Sequence, residues 1–208
     1  MEQESKKKAA AEARNAECER VQAELEQQGY RREDATVSIV KANLMVFATS
    51  LPVCIVLAVL FGLMNRGNTH FEKMNMLTLM IPLLLSVPVH EGLHGLGWLP
   101  SCKYGWKSIR FGVMWSSLTP YCNCKEAMPV KGYYLGLLTP FTVLGLLPSA
   151  AGIITGSVPV LAFGLLNILL AGGDLTIALV IRKYIGKSAV ILDHPSQCGC
   201  LAFLPDKT

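Results

Sequence analysis

His90 and His94 stand four positions apart, with Glu91 directly after the first. On a helix, positions i and i+4 share a face about one turn apart. Both imidazoles can therefore reach a single ion, and Glu91 falls beside it. Zinc accepts such a donor set and lowers the pKa of a water it binds to about 7. The pattern H-E-x-x-H thus predicts zinc-assisted hydrolysis, with Glu91 taking a proton from water and a peptide carbonyl as the group attacked. The setting adds weight. The motif lies in the apolar run Met74–Trp98, and His and Glu inside such a run are costly, rare and usually functional. The plainer reading is a buried hydrogen-bonded cluster without a metal.

A hydrolytic zinc site needs a third protein ligand if water is to take the fourth position. Asp174, in Ala171-Gly172-Gly173-Asp174, is the only acidic residue of the apolar stretches 132–155 and 158–181. Depth supports it. His94 lies four residues before Trp98, at the end of its run, and Asp174 lies eight before Arg182, at the end of another. Gly172 and Gly173 would let two helices approach closely or break one. A carboxylate bound to His or Lys without metal is the alternative. Asn167 precedes Asp174 by seven residues, two turns on a continuous helix. It could hold substrate backbone or position a ligand, or make a helix–helix hydrogen bond.

Other clusters are weaker. Cys122-Asn123-Cys124 and Cys198-Gly199-Cys200 could together make a Cys₄ zinc site, although neither is a C-x-x-C knuckle. Asp193-His194-Pro195 reads as a turn and His70 as a solvated loop histidine. Trp98, Trp106 and Trp115 suit an interfacial belt.

These residues need elements to position them. Of 208 residues, 16% are charged and 51% hydrophobic, against roughly 25% charged in an average soluble domain. The charge is segregated. Residues 1–41 hold eight Lys/Arg and nine Asp/Glu, whereas 42–63 hold none. Four apolar runs follow the polar start: Ala42–Leu63, Met74–Trp98, Gly132–Thr155 and Val158–Ile181. Each is long enough to cross roughly 30 Å of hydrocarbon at 1.5 Å per residue. Pro82, Pro88, Pro140 and Pro148 lie within them, so kinks are expected, with the freed carbonyls satisfied by neighbours.

The class expected is a mainly α integral membrane protein of about four spans. Residues 1–28 form a polar helical tail and 29–208 a membrane-embedded domain. Thr36–Val40 alternates and predicts a short strand. Loop 99–131, with Ser108–Trp115 alternating, predicts a β-hairpin between spans two and three. Basic residues cluster in the N-terminal region, in 99–131 and after Arg182, placing both termini in the cytoplasm by the positive-inside rule. Most thiols then stay reduced. The polar first 41 residues predict no cleavable signal peptide, the first apolar run serving as an uncleaved anchor. The net charge of +4 sits beside the apolar runs, so the expected partner is a lipid bilayer and not nucleic acid.

HEGLH inside an apolar span resembles site-2-type intramembrane metalloproteases. The chain is more closely similar to a bacterial family of zincin peptidases, a membrane domain of otherwise unknown function. The similarity runs from about Leu25 onward. It rests on Gly29-Tyr30, Thr36–Asn43, HEGLHGLGW, Leu118–Val130, Gly173-Asp174 and Asp193-His194-Pro195. It implies a zinc site open toward the cytoplasm of a bacterial membrane and cleavage of a membrane-associated peptide. Site-2 proteases carry their third ligand in an Asp-Gly pair; the order here is Gly-Gly-Asp, so Asp174 is matched by analogy. The expected function is a zinc endopeptidase with His90, His94 and Asp174 on the metal, Glu91 as catalytic base and Asn167 near substrate. Alternatives are a metal-dependent hydrolase of another bond and a non-catalytic membrane scaffold.

Overall fold

The computed structural model describes residues 2–71, 76–114, 119–197 and 199–206. Lys73, Trp115, Cys198 and Lys207 lie outside them, as do Met74 at the start of the second apolar run and Ser116–Leu118.

Helix α1 spans Glu2–Gln27. Gly29, with φ of +80°, turns the chain into strand β1, Tyr30–Thr36. The strand expected at Thr36–Val40 is therefore displaced. Pairing stops at Thr36, and the Ser38 side chain accepts from the Lys41 backbone N–H to cap helix α2, Ile39–Met64. The residues that do pair, YRREDAT, alternate too weakly in polarity to announce a strand. Helix α3 follows, Met76–Trp98. Strands β2, Ile109–Met114, and β3, Thr119–Cys124, then form the expected antiparallel hairpin, Ile109 opposite Cys124. After β4, Met128–Pro129, the chain enters α4, Val130–Pro140. A wide π-helical turn, Phe141–Leu146, joins α4 to α5, Leu147–Thr155. Gly156 at φ of +70° reverses the chain into α6, Val158–Leu170. Helix α7, Gly172–Ile181, begins at once but in a new direction. Strands β5, Val190–Asp193, and β6, Gly199–Pro205, close the fold.

Three helical segments are long and apolar enough to cross a membrane: Asn43–Met64, Leu77–Ser101 and Val130–Thr155. The pair Val158–Leu170 and Gly172–Tyr184, bent by 47°, makes a fourth if counted as one span. Leu44, Phe47, Ile55, Leu77, Leu84 and Leu85 are all more than half exposed. Exposed apolar side chains in this number are what a lipid-facing bundle presents. The helices pack through small residues. A Cβ on Gly97 would come within 2.6 Å of the Gly136 backbone, and one on Gly172 within 2.6 Å of Ser50 Oγ.

The sequence did not announce a second sheet. It has four antiparallel strands in the order β1-β6-β5-β4. Its two faces alternate as strand geometry requires. Ala35, Met128, Ile191, Cys200 and Ala202 join Val130, Tyr133, Leu137, Ile181 and Tyr184 of the bundle in the main core. Leu192, Leu201 and Phe203 face the other way and receive Cys18, Val21 and Leu25 of α1. Arg110 pairs with Glu17, and the Arg14 guanidinium donates to the Tyr121 hydroxyl. The polar N-terminal helix therefore docks along both sheets.

Candidate metal centre

Helix α3 puts His90 and His94 on one face, with ring centroids 4.9 Å apart. Asp174 arrives from α7, in its first turn just after the bend. Its two carboxylate oxygens divide between the rings: Oδ2 lies 3.1 Å from His90 Nε2 and Oδ1 lies 3.4 Å from His94 Nε2. One donor atom from each of the three residues lies within 4.8 Å of the others, and this is the only such His/Cys/Asp/Glu group among the described residues. The group is enclosed, with side-chain exposures of 12%, 7% and 16% for His90, His94 and Asp174.

The bend supplies Asp174. A Cβ on Gly172 would meet Val46 and Ser50 of α2, so only glycine lets α7 start this close. The Gly172 carbonyl accepts from the Thr49 and Thr176 hydroxyls, which tie the start of α7 to α2 and to its own next turn.

His94 is fixed from behind. Its Nδ1 lies 3.0 Å from the Gly136 carbonyl, so it carries the proton and donates. In a neutral imidazole that leaves the Nε2 lone pair for an ion, the tautomer a metal ligand needs. The availability of this carbonyl follows from the sequence. In an uninterrupted helix Gly136 would accept from the N–H of residue 140, but residue 140 is proline and has none. Trp98 stacks on His94 with centroids 5.3 Å apart, and its Nε1–H donates to the Tyr133 carbonyl. An imidazole–indole–backbone chain thus joins α3 to α4.

Glu91 follows His90 on α3, and the Cys122 backbone of β3 hydrogen-bonds its carboxylate. The hairpin therefore lies along the helix that carries the motif. Asn167 is 1% exposed. Its amide nitrogen donates to the Phe163 carbonyl, and its Oδ1 is buried without a hydrogen-bond partner. The break at Ala171 separates it from Asp174, so the two-turn reckoning for a straight helix does not apply.

The remaining candidates have other roles. His70 makes backbone hydrogen bonds with Gly156 and Val158, bridging two turns. His194 Nδ1 accepts from the Ser196 and Gln197 backbone N–H groups, as a turn requires. Burial holds its imidazole below the usual range. Asp193, unnoticed beyond its place in that turn, is a hub. It accepts from the Tyr133 hydroxyl at 2.6 Å and the Cys124 N–H at 2.7 Å, and burial pushes its carboxyl up. The proposed Cys₄ cluster cannot be completed from the described residues, since Cys198 lies outside them.

Two imidazoles on one helical face and a carboxylate on a second helix make a closed nitrogen–oxygen donor set next to Glu91. A family model described as "Putative zincin peptidase" matches residues 83–188, half of the chain, and the chain belongs to that family. The matched stretch starts in α3 and contains the whole H-E-x-x-H segment, the hairpin and Asp174. The family implies zinc, which the donor set fits: nitrogen and carboxylate donors are those that hydrolytic zinc sites use. No curated protein and no solved structure matches the chain.

Proposed function

We propose that this protein is a membrane-embedded zinc metallopeptidase that hydrolyses a peptide bond in a membrane-associated substrate. The observation that carries the reading is the convergence of His90, His94 and Asp174 from two apolar helices, with Glu91 beside them. His90 Nε2, His94 Nε2 and an Asp174 oxygen would hold the ion. Zinc, when bound there, supplies Lewis acidity to a water and to a substrate carbonyl. Glu91 accepts the proton of the attacking water and returns it to the departing amine. Gly136 and Trp98 keep His94 in register through both transfers. Strand β3, whose Cys122 backbone already meets Glu91, offers a template on which an extended peptide can lie as an added strand. Asn167 is proposed as a residue that positions the site from behind, since its nitrogen is committed to the Phe163 carbonyl.

The basic residues at the ends of the spans support a site opening toward the cytoplasm, with both termini on that side. The test is purified protein in lipid vesicles with a membrane-anchored peptide. Glu91→Gln should retain stoichiometric zinc and lose cleavage, whereas His94→Ala and Asp174→Ala should lose the metal. Cleavage that survives Glu91→Gln refutes the mechanism. A wild-type protein that binds zinc but yields only lipid or other non-peptide products refutes the substrate class.

A further inference from the structure

The segment after α3 and the end of β3 bring two sulfurs together away from the metal centre. Cys102 Sγ lies 3.6 Å from Cys124 Sγ, and among the described residues no other two cysteine sulfurs are in contact. Both cysteines are held by their surroundings. The Cys102 N–H donates to the Leu99 carbonyl, and the Cys124 N–H donates to buried Asp193. Glu126, two residues beyond Cys124, clamps the two segments to each other. Its carboxylate accepts from the Lys103 and Tyr104 N–H groups and from the Ser108 hydroxyl. The sulfurs need to close only from 3.6 Å to the roughly 2 Å of a disulfide.

The two are unequal in a useful way. Cys124 is 2% exposed, whereas Cys102 is half-buried. Burial raises both thiols above their ordinary range, so neither is a constitutively reactive thiolate of the kind found in catalytic sites. On the cytoplasmic side, where the proposed orientation puts it, a pair with these properties fits the transient, redox-sensing class of disulfide more than the structural one.

We infer that Cys102 and Cys124 are a thiol–disulfide exchange site, oxidised by low-molecular-weight disulfides to a bond that staples β3 to the end of α3. The half-buried Cys102 thiolate attacks one sulfur of the incoming disulfide and releases one thiol. Cys124 then loses its proton, attacks Cys102 Sγ and releases the second thiol. One disulfide is consumed, one is formed, and two small thiols leave with the two protons. The staple falls on the strand whose Cys122 backbone meets Glu91, so oxidation fixes that strand against the helix bearing the motif. The inference needs no metal and no peptidase activity.

The experiment uses the full chain in detergent micelles, incubated with oxidised glutathione, quenched with a maleimide and read by intact mass and peptide mapping. The sequence holds seven cysteines. The wild type should fall from seven labelled thiols to five and yield one reductant-sensitive peptide pair joining Cys102 to Cys124. Cys122→Ser should still give that pair. Cys102→Ser, at the more exposed position, should keep all six of its thiols. A stable glutathione adduct on Cys102, a bond between other cysteines in its place, or loss of two thiols from Cys102→Ser would each overturn the inference.

Discussion

Replacing Pro140 by alanine should make the apoprotein more stable and its grip on zinc weaker. In α4 the proline withholds an N–H from the Gly136 carbonyl, and His94 Nδ1 fills the vacancy at 3.0 Å. Alanine restores the backbone donor. A proline within a helix costs up to about 3 kcal/mol relative to alanine, so the zinc-free protein should gain part of that. The restored N–H competes with the imidazole and draws the carbonyl back to the helix axis. Loss of an outer partner of a metal-bound histidine typically costs 10–100-fold in affinity, or about 1.4 to 2.8 kcal/mol. The two effects are similar in size and opposite in sign. A zinc titration against a chromophoric chelator reads one, and the thermal midpoint of the metal-free protein in detergent reads the other. Pro52→Ala in α2, an exposed helix-interior position with no histidine at the carbonyl it frees, should raise the midpoint alone. An unchanged zinc affinity in Pro140→Ala would show that the freed carbonyl does not orient His94.

Three further outcomes follow from the same contacts. Gly136→Ala drives a methyl into the Trp98 indole; such overpacking costs about 1–3 kcal/mol and should weaken zinc binding, whereas Gly92→Ala, which meets nothing within 4 Å, should leave zinc binding intact in the same titration. Tyr133→Phe removes one of the two donors to buried Asp193 and should destabilise the fold by about 1–3 kcal/mol, read as a lower midpoint with zinc stoichiometry retained. Zinc at a hundredfold excess over its dissociation constant should stabilise the wild type by about 2.7 kcal/mol, an increment that a chelator abolishes and that His94→Ala lacks.

The grouping of His90, His94 and Asp174 was legible in the sequence because its parts are local or unique. H-E-x-x-H fixes its own geometry on a helix, and Asp174 was the only acid available in the later apolar runs. The hairpin was legible for a similar reason, since Ile109–Met114 alternates and sits in a loop too long to be a turn. What escaped was built from distant pairings. β1 pairs with β6 across the whole chain, Tyr30 opposite Pro205, and no pattern within YRREDAT points to such a partner. The docking stripe of α1 is only Cys18, Val21 and Leu25, too short to read as a heptad. The break at Ala171 was hinted at by two glycines, and a count of turns cannot carry a shared face for Asn167 and Asp174 through the 47° bend. Pro140 was visible as a kink, but which carbonyl it frees matters only once α4 is seen beside His94.

The four-stranded sheet also acts as a counting device for the helices. Its strands come from both ends of the chain and from its middle, and hydrogen-bonded strands must lie in one compartment. Residues 36 and 199 are therefore on the same side of any bilayer that admits the bundle, as are 129 and 190. The number of crossings between each pair must then be even. Were Val130–Thr155 to supply one crossing of the later interval, the bent pair that follows would have to supply the other despite its break. By the same parity α2 and α3 would cross as a couple or not at all. If Val130–Thr155 crosses a bilayer, three crossings could not close this sheet, and the kinked α6–α7 segment that delivers Asp174 would count as the fourth.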